Sequence, residues 1–429
     1  MVYRISKPDK KIKGTVYLSA SKSESNRVLL VQALSTQRFR TTNLADAQDT
    51  QILAEILKNE TSAEQNNALN KLNIEVSYYT GAGATTMRFL TAFFASRPGK
   101  RILSGSPRMN ERPVKPMVDT LNKLGAKILF PEKKGYPPLW IAGHEMEGGE
   151  IDIDASVSSQ FITALLLVAP TLKKGLKMQL NGRVVSRSYI MMTLKVLEHF
   201  GIKYKWENNI ISIDHQEYQG WDYHIEADWS SASYWYEMVA LSDEAELRIK
   251  GLRRKSIQGD SVVADLYRFF GVNTEYQEDG IILTKTNYRP DNFGFDFSDY
   301  PDIAQTAAVT AAALKIPMQL NGLHTLRIKE TDRIQALQNE LKKIGVNANV
   351  SEEASIEINF AEGKAENENK IDSDIEFETY SDHRMAMAFA PLALIYPEIR
   401  IKDPSVIKKS YPDYWSDMKA LGFEIKEEE

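Results

Sequence analysis

Apolar and polar positions along this chain fall into one pattern that recurs five times. MVDTLNKLGAKILF, MTLKVLEHFGIKYKW, VADLYRFFGVNTEY, ALQNELKKIGVNANV and YWSDMKALGFEI each carry apolar residues three and four apart, then a glycine, then a strand-like stretch. The first part predicts a helix with one apolar face. A glycine is what a helix end needs to turn left-handed at low cost. The glycines are Gly125, Gly201, Gly271, Gly345 and Gly422, separated by 76, 70, 74 and 77 residues. One such joint is ordinary in any α/β protein, but five at near-constant spacing predict a duplicated unit longer than a solenoid repeat. An eroded sixth copy is expected at Gln51 to Lys58, with Asn59 in place of glycine. Each unit has room for several strands and two helices. Six units therefore predict an α/β chain with three units in each of two pseudo-threefold domains, and a cleft between the domains.

The residues ahead of these helices, DAQDTQ, ERPVKP, SRSYIM, GDSVVA, ETDRIQ and YPDYWS, offer capping side chains or first-turn prolines. Where related helices converge, their positive ends favour anions at one place.

Length supports the two-domain reading, because 429 residues exceed the roughly 250–300 at which a single core stops growing. Hydrophobic residues at 43% and charged residues at 26% fit a globular chain and exclude a disordered or fibrous one. The absence of cysteine removes disulfides, thiolate metal sites and a cysteine nucleophile together. MVYRISKPDK has no apolar run behind its charges, so no signal peptide is predicted and a cytoplasmic location is expected. The longest apolar run, Met385 to Tyr396, is shorter than the about 20 residues of a membrane span and contains Pro391. A net charge of -5 turns the chain away from general nucleic-acid binding. An anion site must then be a local basic cluster.

Several segments offer such clusters. Ser21-Lys22-Ser23-Glu24-Ser25-Asn26-Arg27 opens an apolar helix with hydroxyls, a lysine and an arginine, as a phosphate or carboxylate site does. A capping box with solvated charges fits the same spacing. Gly81-Ala82-Gly83-Ala84-Thr85-Thr86-Met87-Arg88 is a small-residue loop that lets backbone N–H groups approach a ligand, or simply packs tightly. No GxxxxGK[ST] is present, so a nucleotide P-loop is not supported. Arg108 and Arg112 precede a helix with an early proline, Ser158-Ser159-Gln160 opens a strongly apolar helix, and Ser186-Arg187-Ser188-Tyr189 opens another. Lys329-Glu330-Thr331-Asp332-Arg333 reads in isolation as a solvated helix start. Asp382-His383-Arg384, however, abuts the apolar run MAMAFAPLAL, where charges are costly unless they face a cleft or each other. Lys408-Lys409 before Tyr411-Pro412-Asp413 repeats the theme.

Taken in order, SKSESNR, RMNERP, SSQFITALL, SYIMMTL, DWSSASY, YPDIAQT, KETDRI, SDHRMAMAF and KKSYPDY resemble the 5-enolpyruvylshikimate-3-phosphate synthase family, from about Lys13 to Gly422. Each motif is modest alone; nine in order are specific. The resemblance implies a two-domain inside-out α/β barrel of six βαβαββ units, residues 21–227 forming one domain and residues 1–20 with 228–429 the other. Hinges are expected near 20 and 228, and closure of the domains would assemble the site. It also implies transfer of the enolpyruvyl group of phosphoenolpyruvate to the 5-hydroxyl of shikimate-3-phosphate on the route to chorismate and aromatic amino acids. The substrates would be these two small molecules, with no cofactor, no metal, no nucleic acid and no membrane. The family precedent is a monomer and a glyphosate target.

Carried over by similarity, Lys22, Ser23, Arg27, Ser158, Ser159, Gln160, Ser186, Tyr189, Asp302 and Lys329 would bind shikimate-3-phosphate. Phosphoenolpyruvate would meet Lys22, Ala84, Arg112, Gln160, Arg333, Arg384 and Lys409, cations suited to a phosphate and a carboxylate. Asp302 and Glu330 would divide the proton transfers, with Lys22 beside them.

The chain departs from the family pattern at Ala82, Ala84 and Thr85 in the second loop, at Thr325 and at Ala20, and the stretch between Leu57 and Gly81 is shorter. The Ala84 methyl is expected to lower sensitivity to glyphosate, which is longer than phosphoenolpyruvate. Two alternatives compete. The related transferase acting on UDP-N-acetylglucosamine typically uses a loop cysteine, which this chain lacks. A silent binding protein would not need both carboxylates.

Overall fold

Five helix-to-strand joints end on glycine in the computed structural model of the chain, which describes residues 1–62, 74–351, 354–360 and 375–428. Gly125, Gly201, Gly271, Gly345 and Gly422 hold φ between 74° and 101°, a region costly for any residue with a Cβ. At Gly345 a Cβ would meet nothing within 4 Å. The backbone angle alone demands glycine there.

The expected sixth joint differs. Helix Gln48–Thr61 runs through Asn59 and stops against an extended Ser62. Buried Glu60 explains the extra length: it accepts from Arg101 at 2.7 Å and from the Tyr78 hydroxyl at 2.6 Å, which keeps the turn past Asn59 helical. Residues 63–73, part of the stretch read as shorter than usual, lie outside the described residues.

The helix starts also correct the sequence reading. Of the six segments expected to cap the joint helices, only Asp332 makes a capping side-chain bond, accepting from the Ile334 and Gln335 N–H groups. Pro116 takes the expected first-turn place in Lys115–Lys123, and the remaining helices begin after Ala47, Ser186, Gln258 and Asp413 without a capping bond. Capping side chains stand elsewhere, at Ser158, Asp228 and Asp382.

Two units divide the contacts: Met1–Ser21 with Glu226–Glu429, and the inserted Lys22–Ile225. Ser21 goes with the discontinuous unit because its N–H donates to the Glu226 carbonyl at 2.8 Å, next to an Ala20–Ala227 bridge.

In the inserted unit, Glu75–Tyr79 pairs parallel with Gly99–Ser104, which pairs antiparallel with Leu139–Gly143, and that strand with Lys127–Leu129. Gly149–Asp154, Leu176–Asn181, Ile210–Ile213 and Lys205–Glu207 repeat the arrangement. Helices Ala84–Ala95 and Ser159–Val168 connect the parallel pairs, as parallel strands require a crossover. Tyr223–His224 lies parallel to Thr41–Thr42 in a third, two-stranded sheet among the described residues.

Among the described residues, the discontinuous unit holds three four-stranded sheets of the same topology. In one, Lys11–Tyr17 pairs parallel with Glu244–Lys250, and the whole inserted unit lies between them in sequence. In another, Val2–Ser6 occupies the place taken elsewhere by the last hairpin strand, between Ile399–Lys402 and Glu424–Glu428.

Each unit has helices at its centre. Trp229–Leu241, Ala304–Ala313 and His383–Phe389 pack on one another. The first and last are buried along their whole length, so their apolar residues need no single face. The alanines of AQTAAVTAAA let neighbouring helices approach. Lys22–Leu34, Ala84–Ala95 and Ser159–Val168 form the matching trio of the inserted unit. The apolar run from Met385 continues from the last central helix into a buried 3₁₀ turn, Ala390–Leu394. Among the described residues no helix is long and apolar enough to cross a membrane.

Candidate active site

Many of the sequence-predicted residues stand at or just before helix starts. In the discontinuous unit, Asp302 lies in the 3₁₀ turn Pro301–Ile303 ahead of Ala304–Ala313. Arg333 is the first residue of Arg333–Lys343, with Lys329 and Glu330 just before it. Arg384 lies in the first turn of His383–Phe389. Lys409 ends the turn Pro404–Lys409.

These residues form one network around Arg333, whose side chain is 1% exposed. Its Nε donates to Asp382 at 2.7 Å and its Nη2 to the other Asp382 oxygen at 3.2 Å. Nη2 also donates to Glu330 at 3.0 Å, and Nη1 faces Asp302 at 3.5 Å. Arg384 reaches the Asp302 carboxylate at 2.9 Å and its carbonyl at 2.9 Å, and contacts the Tyr234 hydroxyl at 3.3 Å. Lys409 donates to Glu330 at 2.5 Å, and Lys329 lies 3.9 Å from Asp302. Burial alone would pull the Arg333 guanidinium down, but the charges of Asp382 and Glu330 outweigh it and hold it above its usual range. Burial pushes Tyr234 up to about 12, tempered by Arg384 and Arg333. Asp260 is pushed up to about 7, first by burial and then by the negative charge of Asp302, while a Ser230 hydrogen bond at 2.5 Å opposes the shift. Both carboxylates expected to move protons are thus tied to cations, beside a buried acid that titrates near neutrality.

In the inserted unit, Lys22, Ser23 and Arg27 share the helix Lys22–Leu34. Arg27 is buried and donates to the Ser23 carbonyl at 2.6 Å, the Tyr189 carbonyl at 3.1 Å and Thr193 at 2.9 Å. Burial pulls it down to about 10, against the opposing influence of Tyr189 and Glu24. Ser186 precedes the helix Arg187–His199 with a left-handed backbone at φ 50°. Ser158 caps Ser159–Val168, accepting from the Gln160 N–H at 3.3 Å. Gln160 Nε2 donates to Thr85 at 3.1 Å, which joins the starts of two central helices. Ala84 is the buried first residue of Ala84–Ala95. Arg112 is buried, with its backbone N–H donating to the Met109 carbonyl at 3.1 Å.

Residues 6–418 match the family model of EPSP synthase (3-phosphoshikimate 1-carboxyvinyltransferase). The chain belongs to the EPSP synthase family. It is 43% identical over 427 residues to a 3-phosphoshikimate 1-carboxyvinyltransferase of Bacteroides fragilis, covering 99% of both chains. It is 34% identical to the enzyme of that name from Aliivibrio fischeri, covering 96% of this chain and 98% of that one. A solved EPSP synthase from Acinetobacter baumannii shares the fold at a TM-score of 0.76 and 21% identity, covering 99% of this chain and 100% of the other.

In the inserted unit, residues outside the expected set hold the expected ones. Arg88 donates to Gln160 and lies 3.5 Å from the Ser158 hydroxyl, over the Phe161 ring at 4.8 Å. Asp49 faces Lys22 at 3.3 Å, and its carbonyl accepts from Thr86 at 3.1 Å. A Cβ at Gly83 would come within 3.0 Å of the Asp49 carboxylate and 2.8 Å of Thr86. The chain itself therefore accounts for that glycine without a ligand. Among the described residues no three His, Asp or Glu side chains gather into a group that could hold a metal ion.

Proposed function

We propose that this chain is the transferase that moves the enolpyruvyl group of phosphoenolpyruvate to the 5-hydroxyl of shikimate-3-phosphate and releases phosphate. Family membership over nearly the whole chain supports the reaction. The observation that carries the residue roles is the sharing of Arg333 by two candidate proton-transfer groups, Asp302 and Glu330.

The chemistry asks for such a pair. The 5-hydroxyl loses a proton as its oxygen attacks C2 of phosphoenolpyruvate, and C3 gains one, giving a tetrahedral ketal. Loss of phosphate then expels the C–O pair while C3 returns a proton. Asp302 and Glu330 divide these transfers, and Lys22 is the third residue read as catalytic. A carboxylate accepts a proton in one step, and the carboxyl that has taken it becomes the donor for the return step.

Lys22, Ser23, Arg27, Ser158, Ser159, Gln160, Ser186, Tyr189, Asp302 and Lys329 are the residues that bind shikimate-3-phosphate in this reading. Lys22, Ala84, Arg112, Gln160, Arg333, Arg384 and Lys409 bind phosphoenolpyruvate. The reading extends to an inside-out α/β barrel of pseudo-threefold units, and to a monomeric, cytoplasmic enzyme.

Phosphate release from purified protein, with both substrates, EDTA present and each substrate omitted in turn, tests the reaction. Release that needs both substrates and ignores EDTA supports it. Shikimate-3-phosphate binding without release would favour a silent binder.

A further inference from the structure

The segment that carries Asp382 and Arg384 adopts a backbone that its own residues disfavour. Tyr380 and Ser381 are both left-handed, at φ 53° and 55°. Non-glycine residues are uncommon there, and two in succession persist only where the surroundings over-determine them. Directly afterwards the Asp382 N–H donates to the Thr379 carbonyl at 2.8 Å. Asp382 then caps the Arg384 N–H at 2.9 Å and forks onto Arg333.

The restraint comes from the neighbouring helix. Arg333 and Glu340 are seven residues apart on Arg333–Lys343 and so share a face. Glu340 is 1% exposed. One oxygen accepts the Tyr380 hydroxyl at 2.7 Å, and the other accepts the Glu378 N–H at 2.9 Å and Lys343 at 2.6 Å. Asn339 donates to the same Tyr380 hydroxyl at 3.3 Å. One helix therefore grips the turn twice, with Arg333 on Asp382 and Glu340 on either side of Thr379. Burial first, and then the bond to Glu340, push the Tyr380 phenol up to about 12, so it remains a donor across the working range.

We propose that Tyr380 and Glu340 are positioning residues for the reaction: their hydrogen bond holds the left-handed turn, and the turn sets where Asp382 aims Arg333 and Arg384. The inference rests on the transferase reading above. Contacts that only stabilised the fold would not need two left-handed residues immediately before the residue that orients both arginines.

Steady-state kinetics of Tyr380→Phe, Glu340→Gln and the double variant, beside wild type and Glu330→Gln, test it. Tyr380→Phe deletes one hydroxyl and keeps the ring. It is expected to lower kcat/KM for phosphoenolpyruvate about tenfold, the weight of one buried hydrogen bond, with the KM for shikimate-3-phosphate unchanged. Glu340→Gln leaves one acceptor oxygen for two donors, the Tyr380 hydroxyl and the Glu378 N–H, so the effects of the two variants should be less than additive in the double variant. Wild-type constants for phosphoenolpyruvate in Tyr380→Phe, or a loss of thermal stability alone, would overturn the inference. The transferase reading would then still stand on an active wild type and an impaired Glu330→Gln. A wild type that turns over neither substrate would overturn both.

Discussion

Arg384 holds Asp302 by its side chain and its backbone at once: Nη2 lies 2.9 Å from the carboxylate and Nη1 donates to the carbonyl at 2.9 Å. Two donors at a fixed separation fix both the position and the direction of the acid, which a point charge on a flexible stem does not.

Arg384→Lys keeps the charge and loses the fork. We expect kcat/KM to fall about 100-fold, the scale of a misplacement of about 1 Å at a reacting group, with an unchanged circular dichroism spectrum. Near-wild-type turnover would show that charge alone suffices.

Asp382→Asn keeps the helix cap, since an amide oxygen still accepts from the Arg384 N–H. It leaves Arg333 buried without its closest counter-charge. We expect stability to fall by about 3–5 kcal/mol, read as a lower urea midpoint at constant m. A midpoint within error of wild type would mean that Glu330 and Asp302 hold the guanidinium by themselves.

Asp260 gives a pH signature of definite sign. Its folded-state pKa is raised from 3.8 to about 7 by burial and then by Asp302, so the folded state retains a proton that the unfolded state has lost. Its contribution is full below the unfolded value and is lost as pH rises through the folded one. Between pH 4 and 7 the wild type should lose more stability than Asp260→Asn, by an amount on the order of 4 kcal/mol at most. Glu237, pushed up by burial with a nearby Thr310 hydroxyl tempering the shift, adds a slope of the same sign to both proteins. Parallel stability curves would remove Asp260 from the account.

Arg88→Met keeps length and deletes the donors that orient Ser158 and Gln160. The KM for shikimate-3-phosphate should rise about tenfold, as for one lost charge-assisted bond. An unchanged KM would mean that Gln160 is placed by Thr85 alone.

Ala84 is buried at the first turn of its helix. Inhibition curves for Ala84→Gly should show glyphosate acting at lower concentration than on the wild type, and superimposable curves would dismiss the steric role of the methyl.

What could be read in the chain follows from how local each constraint is. The joint glycines were legible because a left-handed backbone narrows the choice to almost one residue type. The length of Gln48–Thr61 was not, since it depends on Glu60 meeting Arg101, 41 residues away. Asp302, Glu330, Arg333, Arg384 and Lys409 were legible only as members of ordered motifs, because alternating charge also suits a solvated helix start. Arg88 bonds Gln160 across 72 residues and Arg384 meets Tyr234 across 150, so no window of sequence joins them. The caps failed for a related reason. Backbone path, more than residue type, decides whether a serine such as Ser186 faces its helix, and this one is left-handed.

The insertion of Lys22–Ile225 between Lys11–Tyr17 and its parallel partner Glu244–Lys250 also sets a timetable during synthesis. At about 5–20 residues per second, the ribosome takes roughly ten to fifty seconds to deliver that partner. Val2–Ser6 waits longer still, for Ile399–Lys402 and Glu424–Glu428. The inserted unit is complete before the discontinuous one has a single full sheet. Throughout that interval the first two strands are unpaired edges, available to chaperones or to neighbouring nascent chains.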